Sequence, residues 1–180
     1  SEEIYNILKA RIISFEYQPG QLLMVQQVAE EYKISRTPAR EAMVRLRDDG
    51  FLSETNSRKF CVAEIKMDYI RDLYALRLIL ESAAIRNSVG QVPKKEINSM
   101  RLCSQRMDNA LAAKNYSEFF KQDEQFHLQI LSLKSNILVD NIYKNICDHQ
   151  QQIRYITASI ENRISVAASE HNLITNAIEA

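Results

Sequence analysis

Residues that interrupt helices are scarce in the second part of this 180-residue sequence. From residue 68 onward, only Gly90 and Pro93 break a continuous pattern of apolar residues at helical spacing, and no alternating run indicates a strand. The pattern predicts five helices, at about residues 68–89, 93–113, 115–134, 136–158 and 160–180. Helices joined by such short links pack antiparallel, so we expect an all-α bundle domain at residues 66–180.

The N-terminal part carries shorter segments and predicts a separate domain. Apolar residues at helical spacing predict a helix over residues 2–15, which ends before Pro19 and Gly20. A short amphipathic segment at residues 25–32 is followed closely by a helix that begins at Ser35. Two short helices joined by such a tight link form a helix-turn-helix.

Two short strands are expected after these helices. Residues 51–54 and 60–63 flank a polar tip at residues 55–59, which is the pattern of a hairpin, or wing. We therefore expect a winged helix-turn-helix at residues 1–65, and a chain that is mostly α overall.

The helix after Ser35 combines an apolar face with a group of arginines. Ser35 is a suitable N-cap, Pro38 is tolerated in the first turn, and Gly50 ends the helix. At 100° per residue, four apolar residues share one face, and three arginines lie within about 40° of one another beside it. The apolar residues are Ala39, Ala42, Met43 and Leu46, and the arginines are Arg36, Arg40 and Arg47. Such a helix docks on a core and directs cations outward.

Positive charge is concentrated locally. The chain has 23 basic and 23 acidic residues, so its net charge alone does not indicate nucleic-acid binding. Residues 35–47, in contrast, contain four arginines and one glutamate, which suits phosphate contact and base recognition.

The spacing of the cysteines and the hydropathy of the sequence indicate the cellular compartment in which the protein is expected. Cys61, Cys103 and Cys147 are too widely spaced to suggest a disulfide framework or a thiolate zinc site, which favours a reducing cytoplasm. No apolar run approaches the roughly 18 residues that a membrane span needs, so no membrane partner is expected.

Three polar residues fall within apolar faces of the predicted bundle. Asp123 and His127 lie four residues apart in one helix, and His171 lies in the apolar stripe of the last helix. One carboxylate and two imidazoles facing one interior suit a divalent transition metal, with zinc, nickel or manganese as candidates. By spacing alone, an Asp and a His four residues apart are more often a hydrogen-bonded pair or part of a solvated face than metal ligands, and this alternative stays open.

Arg77 and His149 are further polar residues that lie on the apolar faces of predicted helices. A core Arg77 needs a partner, and the simplest one is Glu81, one turn later in the same helix. We interpret His149 as a core or pocket histidine and not as a metal ligand. The run Gln150 to Gln152 is interpreted as a polar helix face.

The order of several N-terminal motifs resembles a known family. Pro19-Gly20, the segment Leu22–Tyr32, the run Ser35-Arg36-Thr37-Pro38-Ala39-Arg40-Glu41-Ala42 and Gly50-Phe51-Leu52 are together similar to the DNA-binding domain of GntR-family bacterial transcription regulators. The resemblance implies that Arg36, Thr37 and Arg40 contact DNA in the major groove and that the wing reaches the minor groove. The further candidate DNA-binding residues are Ser35, Arg45, Arg47, Asn56, Ser57 and Arg58. The family usually has a glycine where Lys59 stands.

The bundle resembles FCD, the helical effector domain of one large GntR subfamily. The matching motifs are Asp123-Glu-Gln-Phe-His127, Glu170-His171 and the Leu76-Arg77 to Leu80-Glu81 pattern. The resemblance implies that Asp123, His127 and His171 bind a metal. It also implies that Arg77 faces an effector cavity where its guanidinium suits a carboxylate, so Arg77 and Glu81 are the candidate effector-binding residues.

The FCD pattern includes a further histidine after the Glu-His pair. The sequence stops at Ala180, so either the chain is cut short or this member lacks that ligand.

These features together indicate a ligand-responsive, sequence-specific transcription regulator and not an enzyme. We expect a homodimer on double-stranded operator DNA, acting as a repressor that a small organic acid releases. The alternatives are a metal-dependent helical enzyme using the same three ligands, and a helical adaptor whose winged helix contacts protein. The arginine face argues against the adaptor, and the enzyme would have only Glu81 or Glu170 as a general acid or base.

Overall fold

The structure is a computed structural model of the chain, and it describes residues 2–55, 59–88, 90–134, 136–157 and 161–179. Within these ranges it contains eight helices and three short strands. The chain divides into two units, one formed by residues 1–70 with 148–155 and the other by residues 71–147 with 156–180.

The N-terminal unit is a winged helix-turn-helix, as predicted. Its elements are α1 (Glu2–Ile13), β1 (Leu22–Leu23), α2 (Val25–Glu31), α3 (Arg36–Asp48), β2 (Leu52–Glu54) and β3 (Phe60–Val62). The strands form an antiparallel sheet in the order β1-β3-β2, in which Ser53 and Leu22 both pair with Cys61. Strand β1 was not predicted because two residues are too short to show a periodicity.

The apolar face of α3 forms the centre of this unit's core. Its four apolar residues, Ala39, Ala42, Met43 and Leu46, are all fully buried, as the helical spacing predicted. They belong to one cluster with Leu8 and Ile12 from α1 and with Phe51, Phe60 and Val62 from the sheet region. The exposed side of α3 is therefore held in a fixed orientation by its buried side.

The ends of α3 differ in how they are closed. At the C-terminus, Gly50 adopts a φ of +87° and its N–H donates to the Arg47 carbonyl at 3.0 Å, while the Phe51 N–H donates to the Leu46 carbonyl at 2.8 Å. This pattern is a Schellman motif, and it explains why glycine is needed there. At the N-terminus, Ser35 occupies the N-cap position, but its side chain makes no capping hydrogen bond, so that part of the prediction was wrong.

Residues 148–155, from the second half of a long helix, pack within the N-terminal unit. The His149 ring stacks on Phe51 with centroids 4.1 Å apart and meets Tyr69 edge-on at 5.3 Å. Asp148 forms an ion pair of 2.6 Å with Lys9 of α1. Gln150 and Gln152 are buried, so their interpretation as a polar helix face was wrong.

The second unit is built from the five predicted helices. They are α4 (Met67–Arg86), α5 (Lys94–Ala112), α6 (Tyr116–Ser132), α7 (Ile137–Thr157) and α8 (Glu161–Glu179). Helix α5 packs against both α6 and α8. The Asn115 side chain caps α6 by accepting from the Glu118 N–H at 3.1 Å. None of the described helices is long and apolar enough to cross a membrane.

Apolar residues at helical spacing in α4 predict one buried stripe, and this prediction is only partly correct. The stripe consists of Ile70, Leu73, Tyr74, Leu80, Ala84 and Ile85. Of its six members, Leu73 and Ala84 are buried, and Ile70, Leu80 and Ile85 are half-buried, whereas Tyr74 is 42% exposed. The most exposed apolar residues of this helix within the second unit are Leu78 and Ile79. In α7, the spacing of Ile142, Ile146, His149, Ile153 and Ile156 predicts a second stripe. Ile146, His149 and Ile153 are buried as predicted, whereas Ile142 is exposed and its neighbour Tyr143 is buried.

Replacing Gly50 with alanine tests the closure of α3. The added Cβ would impose a side chain on a left-handed backbone and would lie 3.3 Å from His149 Nε2. A side chain in this conformation costs about 1–2 kcal/mol, and displacement of His149 adds to it. We expect urea unfolding to show a larger decrease in the free energy of unfolding for Gly50→Ala than for Gly20→Ala. At Gly20, φ is +81° but no atom lies within 4 Å of the added Cβ. Equal losses would show that the His149 contact contributes nothing.

Candidate functional site

The N-terminal turn of α3 presents a group of exposed polar side chains. Arg36, Thr37 and Arg40 line one groove of about 590 Å³, which also contains Gln26 of α2 and Lys59 beside the wing. Arg36 donates from Nη2 to Gln26 Oε1 at 3.2 Å. Arg40 makes no hydrogen bond or ion pair with any other described residue. The structure thus gathers three cations, Arg36, Arg40 and Lys59, and one carboxylate, Glu41, on one concave surface.

The other two arginines of α3 are engaged by carboxylates of the same unit. Arg45 pairs with Glu2 at 2.6 Å and lies over the Tyr5 ring at 4.3 Å, so α1 holds it. Arg45 is nine residues from Arg36, which places it on the opposite side of the helix. Arg47 pairs with Asp48 at 2.8 Å and with Glu54 at 3.0 Å. The structure therefore separates Arg45 from the groove and leaves Arg47 largely neutralised.

The wing is only partly described. The predicted candidates Asn56, Ser57 and Arg58 lie outside the described residues. At the base of the wing, the Thr55 N–H donates to the Lys59 carbonyl at 2.8 Å, and the Lys59 N–H donates to Thr55 Oγ1 at 3.2 Å. These bonds fix the position of Lys59 beside β3. Ser35 is exposed at the start of α3.

His149 stabilises the C-terminal end of α3. Its Nε2 lies 2.8 Å from the Asp49 carbonyl oxygen, and because a carbonyl only accepts, Nε2 carries the hydrogen. Burial lowers the pKa of His149, although the Asp49 carbonyl and the nearby Asp148 and Asp49 carboxylates act in the opposite direction. His149 is buried, as expected for a core or pocket histidine.

The second unit brings Asp123, His127 and His171 together. The Nε2 atoms of the two histidines are 3.0 Å apart, and Asp123 Oδ1 lies 3.6 Å from His127 Nε2 and 3.1 Å from His171 Nε2. Both imidazoles are buried and the carboxylate is half-buried. Helix α6 supplies Asp123 and His127 one turn apart, and α8 supplies His171. Glu170, the other half of the Glu-His motif, is exposed and outside this group.

A hydrogen-bond network surrounds the other side of His127. His127 Nδ1 lies 3.0 Å from Glu81 Oε2. The second oxygen of Glu81 accepts from Arg77 Nε at 2.7 Å and from the Tyr143 hydroxyl at 2.6 Å. The predicted pairing of Arg77 with Glu81 is confirmed. Of the three guanidinium nitrogens of Arg77, only Nε has a hydrogen-bond partner among the described residues.

The charges of this network act on the pKa values of its members. Burial by itself raises the pKa of Glu81, but the hydrogen bond and charge of His127, followed by Arg77 and Tyr143, lower it to about 2. Burial by itself lowers the pKa of His127, but its hydrogen bonds to Asp123 and Glu81 give a net increase. The two carboxylates therefore favour a positive charge at His127.

The three side chains fit a first-row divalent metal. A tetrahedral ion with bonds of about 2.0–2.1 Å has ligand-to-ligand edges of about 3.3 Å, close to the 3.0–3.6 Å separations observed here. Two imidazoles and one carboxylate are donors that zinc, nickel and manganese accept. Glu81 contacts Nδ1 of His127, so Nε2 is the ring nitrogen that faces Asp123 and His171.

Sequence reasoning missed three residues of these two sites. Tyr143 lies one position away from the stripe expected for α7, and no motif marked it among the eight tyrosines of the chain. Gln26 and Lys59 enter the groove beside α3 only through the tertiary fold.

Comparison with known proteins gives the family. A family model described as bacterial regulatory proteins, gntR family, matches residues 1–61, and the FCD domain model matches residues 72–180. The chain belongs to the GntR family and carries an FCD domain. It is a transcription regulator of this family, and its relatives are regulators, not enzymes.

Named relatives agree with this assignment. The GntR-family chain is 31% identical over 145 residues to the Nta operon transcriptional regulator of Aminobacter aminovorans, an alignment covering 79% of the chain and 66% of the relative. The chain thus spans slightly less than two thirds of that protein. It is 24% identical over 157 residues to the transcriptional repressor RspR of Escherichia coli, covering 87% of the chain and 69% of the relative.

Solved structures share the fold. The E. coli protein McbR/YncC matches with a TM-score of 0.71 and 21% identity, covering 98% of this chain and 84% of its own. A putative GntR transcriptional regulator from Rhodococcus sp. RHA1 matches with a TM-score of 0.76 and 18% identity, with the same coverage. At these identities the likeness supports the fold alone.

The depressed pKa of His149 predicts a pH-dependent stability in this GntR-family chain. Its folded pKa lies below the unfolded value of about 6.5, so the unfolded state binds a proton first as the pH falls. The contribution of neutral His149 is therefore complete above about pH 6.5 and is lost below it. His149→Gln should lower the free energy of unfolding by about 1–3 kcal/mol at pH 8, and this difference from the wild-type protein should decrease toward pH 5. Urea unfolding with a chelator present measures this, and a difference that stays constant with pH would contradict it.

Proposed function

We propose that this protein is a cytoplasmic homodimeric repressor that binds operator DNA through α3 and the wing, and that a small carboxylate metabolite bound at a metal in the helical domain releases it. The observation that carries the proposal is the presence of two separate polar constellations in one chain. One is a cationic groove in the winged helix, and the other is a buried Asp-His-His cluster in the bundle. The name of the relative RspR supports repression.

The DNA contact is assigned to the groove formed by Arg36, Thr37, Arg40, Gln26 and Lys59. Arg36 and Arg40 are one turn apart and exposed on α3, beside the apolar face that is buried in the core. A helix held in this manner can enter a major groove, where an arginine recognises guanine through two hydrogen bonds. Arg40 suits this role because it has no partner among the described residues. Arg45 is not included because α1 holds it.

Two observations support a homodimer: the small DNA contact that a single winged helix can make, and an exposed apolar surface on α4. One winged helix reads few base pairs, so specificity calls for two copies on a pseudo-palindromic site. In the second unit, Leu78 is 67% exposed and Ile79 is 64% exposed on α4, with Tyr74 and Leu76 also exposed. Apolar side chains exposed together in this way mark an interaction surface. We assign this surface to the contact between two copies of the chain.

The metal centre is assigned to Asp123, His127 and His171. When bound, the metal supplies a Lewis-acidic position for an oxygen ligand, because three protein ligands leave coordination open. The Nη groups of Arg77 have no partner among the described residues and suit an organic carboxylate. Release of DNA requires that this ligand bind one arrangement of the protein more tightly than the other.

Substitution of Arg40 tests the DNA interface. The probe is a duplex selected from a randomised library by the wild-type protein, and we expect the selected sequences to contain two symmetry-related half-sites. Arg40→Ala should weaken binding to this duplex by about 5- to 150-fold, the equivalent of about 1–3 kcal/mol, because a base or phosphate contact is lost.

Arg45→Ala serves as the matched control because it removes an arginine from the opposite side of the same helix. Fluorescence anisotropy should show an affinity within a few-fold of wild type for this variant. Equal losses for the two variants, or none for Arg40→Ala, would remove the assigned interface.

Substitution of the buried histidines tests the metal centre. We expect one zinc ion per chain by elemental analysis of zinc-loaded, desalted protein. His127→Gln and His171→Gln should each weaken zinc binding by more than about 100-fold, since loss of a ligand exceeds the effect of an outer-shell change. His149→Gln, which removes a buried histidine outside the cluster, should leave zinc binding unchanged. Retention of zinc by both ligand variants would contradict the assignment.

A further inference from the structure

Glu81 lies on the side of His127 that faces away from the metal cluster. Its Oε2 is 3.0 Å from His127 Nδ1, whereas the cluster with His171 and Asp123 is formed around Nε2. The described residues whose ligand atoms gather within 4.8 Å are Asp123, His127 and His171, and Glu81 is not among them. Glu81 therefore contacts a ligand without being one.

The geometry points to Glu81 as the residue that positions His127 for metal binding, an inference that rests on the proposed metal function. A carboxylate only accepts hydrogen bonds, so the hydrogen of the bound imidazole lies on Nδ1. With Nδ1 protonated, the lone pair of Nε2 is directed at the cluster. Glu81 thus selects both the tautomer and the ring orientation of His127, and it acts through His127 and not on the effector.

Two further side chains hold Glu81 in this position. The Tyr143 hydroxyl and Arg77 Nε both donate to Oε1, at 2.6 and 2.7 Å, which leaves Oε2 for His127. The side chains of Arg77 and Glu81 are only 11% and 13% exposed, so neither is free to reorient in solvent. Tyr143 comes from α7, Arg77 from α4 and His127 from α6, so three helices fix one carboxylate.

This arrangement divides the predicted effector pair into two roles. Glu81 has its oxygens committed to three donors, while Arg77 uses Nε for Glu81 and retains its two Nη groups. Arg77 therefore serves both as a support for Glu81 and as the group available to a carboxylate. Glu81 belongs to the metal centre.

Zinc titration of variants tests the inference. Glu81→Gln keeps the shape of the side chain but removes its charge, and Tyr143→Phe removes one donor to it. We expect Glu81→Gln to weaken zinc binding by about 10- to 100-fold and Tyr143→Phe to weaken it by a smaller factor, as outer-shell substitutions do. Glu96→Gln, at a half-buried carboxylate on α5, is the control and should bind zinc as wild type does. Competition with a chromophoric chelator measures each affinity.

A spectroscopic measurement separates positioning from simple destabilisation. In zinc-loaded protein with ¹⁵N-labelled histidine, His127 should coordinate through Nε2 and keep a slowly exchanging hydrogen on Nδ1. Glu81→Gln should increase the exchange rate of that hydrogen or populate the other tautomer. If Glu81→Gln does not fold, Tyr143→Phe and the wild-type spectrum still decide the question.

Three results would overturn the inference. Equal zinc affinity for wild type and Glu81→Gln would show that Glu81 does not act on the metal centre, while leaving the proposed metal function intact. Coordination of zinc through His127 Nδ1 would do the same. A wild-type protein that binds no zinc would instead remove the metal function and this inference together.

Discussion

The helical domain depends on one buried carboxylate that must be satisfied. The Glu81 side chain is only 13% exposed, and an unpaired negative charge so far removed from water is strongly unfavourable. Donors from α4, α6 and α7 meet this requirement, and each is thereby fixed in position. Because one of them is His127, the requirement also orients the Asp-His-His cluster that α6 and α8 form. The hydrogen bonds that satisfy Glu81 therefore also orient the candidate metal site.

The winged-helix unit separates its charges in a comparable way. Most cations of α3 and α1 are engaged by carboxylates of the unit, as with Arg45 and Glu2 or Lys9 and Asp148. Arg36 and Arg40 remain in the groove without a carboxylate partner among the described residues. A protein of zero net charge can therefore present a local cationic surface. Helix α7 contributes to both units, with Tyr143 bonded to Glu81 and His149 bonded to the carbonyl of Asp49.

Sequence reasoning succeeded where periodicity or a local motif carries the information. The eight helices, the buried face of α3, the Arg77–Glu81 pair and the Asp123–His127 spacing are all visible within one or two helical turns. It failed where long-range packing decides. Strand β1 exists only through its pairing with β3, Tyr74 of α4 is exposed where the helical pattern predicted burial, and Tyr143 is defined by a partner 62 residues away. The ion pair of Arg45 with Glu2 and the position of Lys59 in the groove likewise depend on which elements lie beside these residues.

The central claim is that Glu81 and its neighbours preform a metal centre at Asp123, His127 and His171. X-ray diffraction from crystals of the zinc-loaded protein, recorded on both sides of the zinc absorption edge, tests it most directly. The account predicts one anomalous peak per chain, bounded by the Asp123 carboxylate and the Nε2 atoms of both histidines. No peak at this position in zinc-saturated crystals, or a peak on the Nδ1 side of His127, would contradict it.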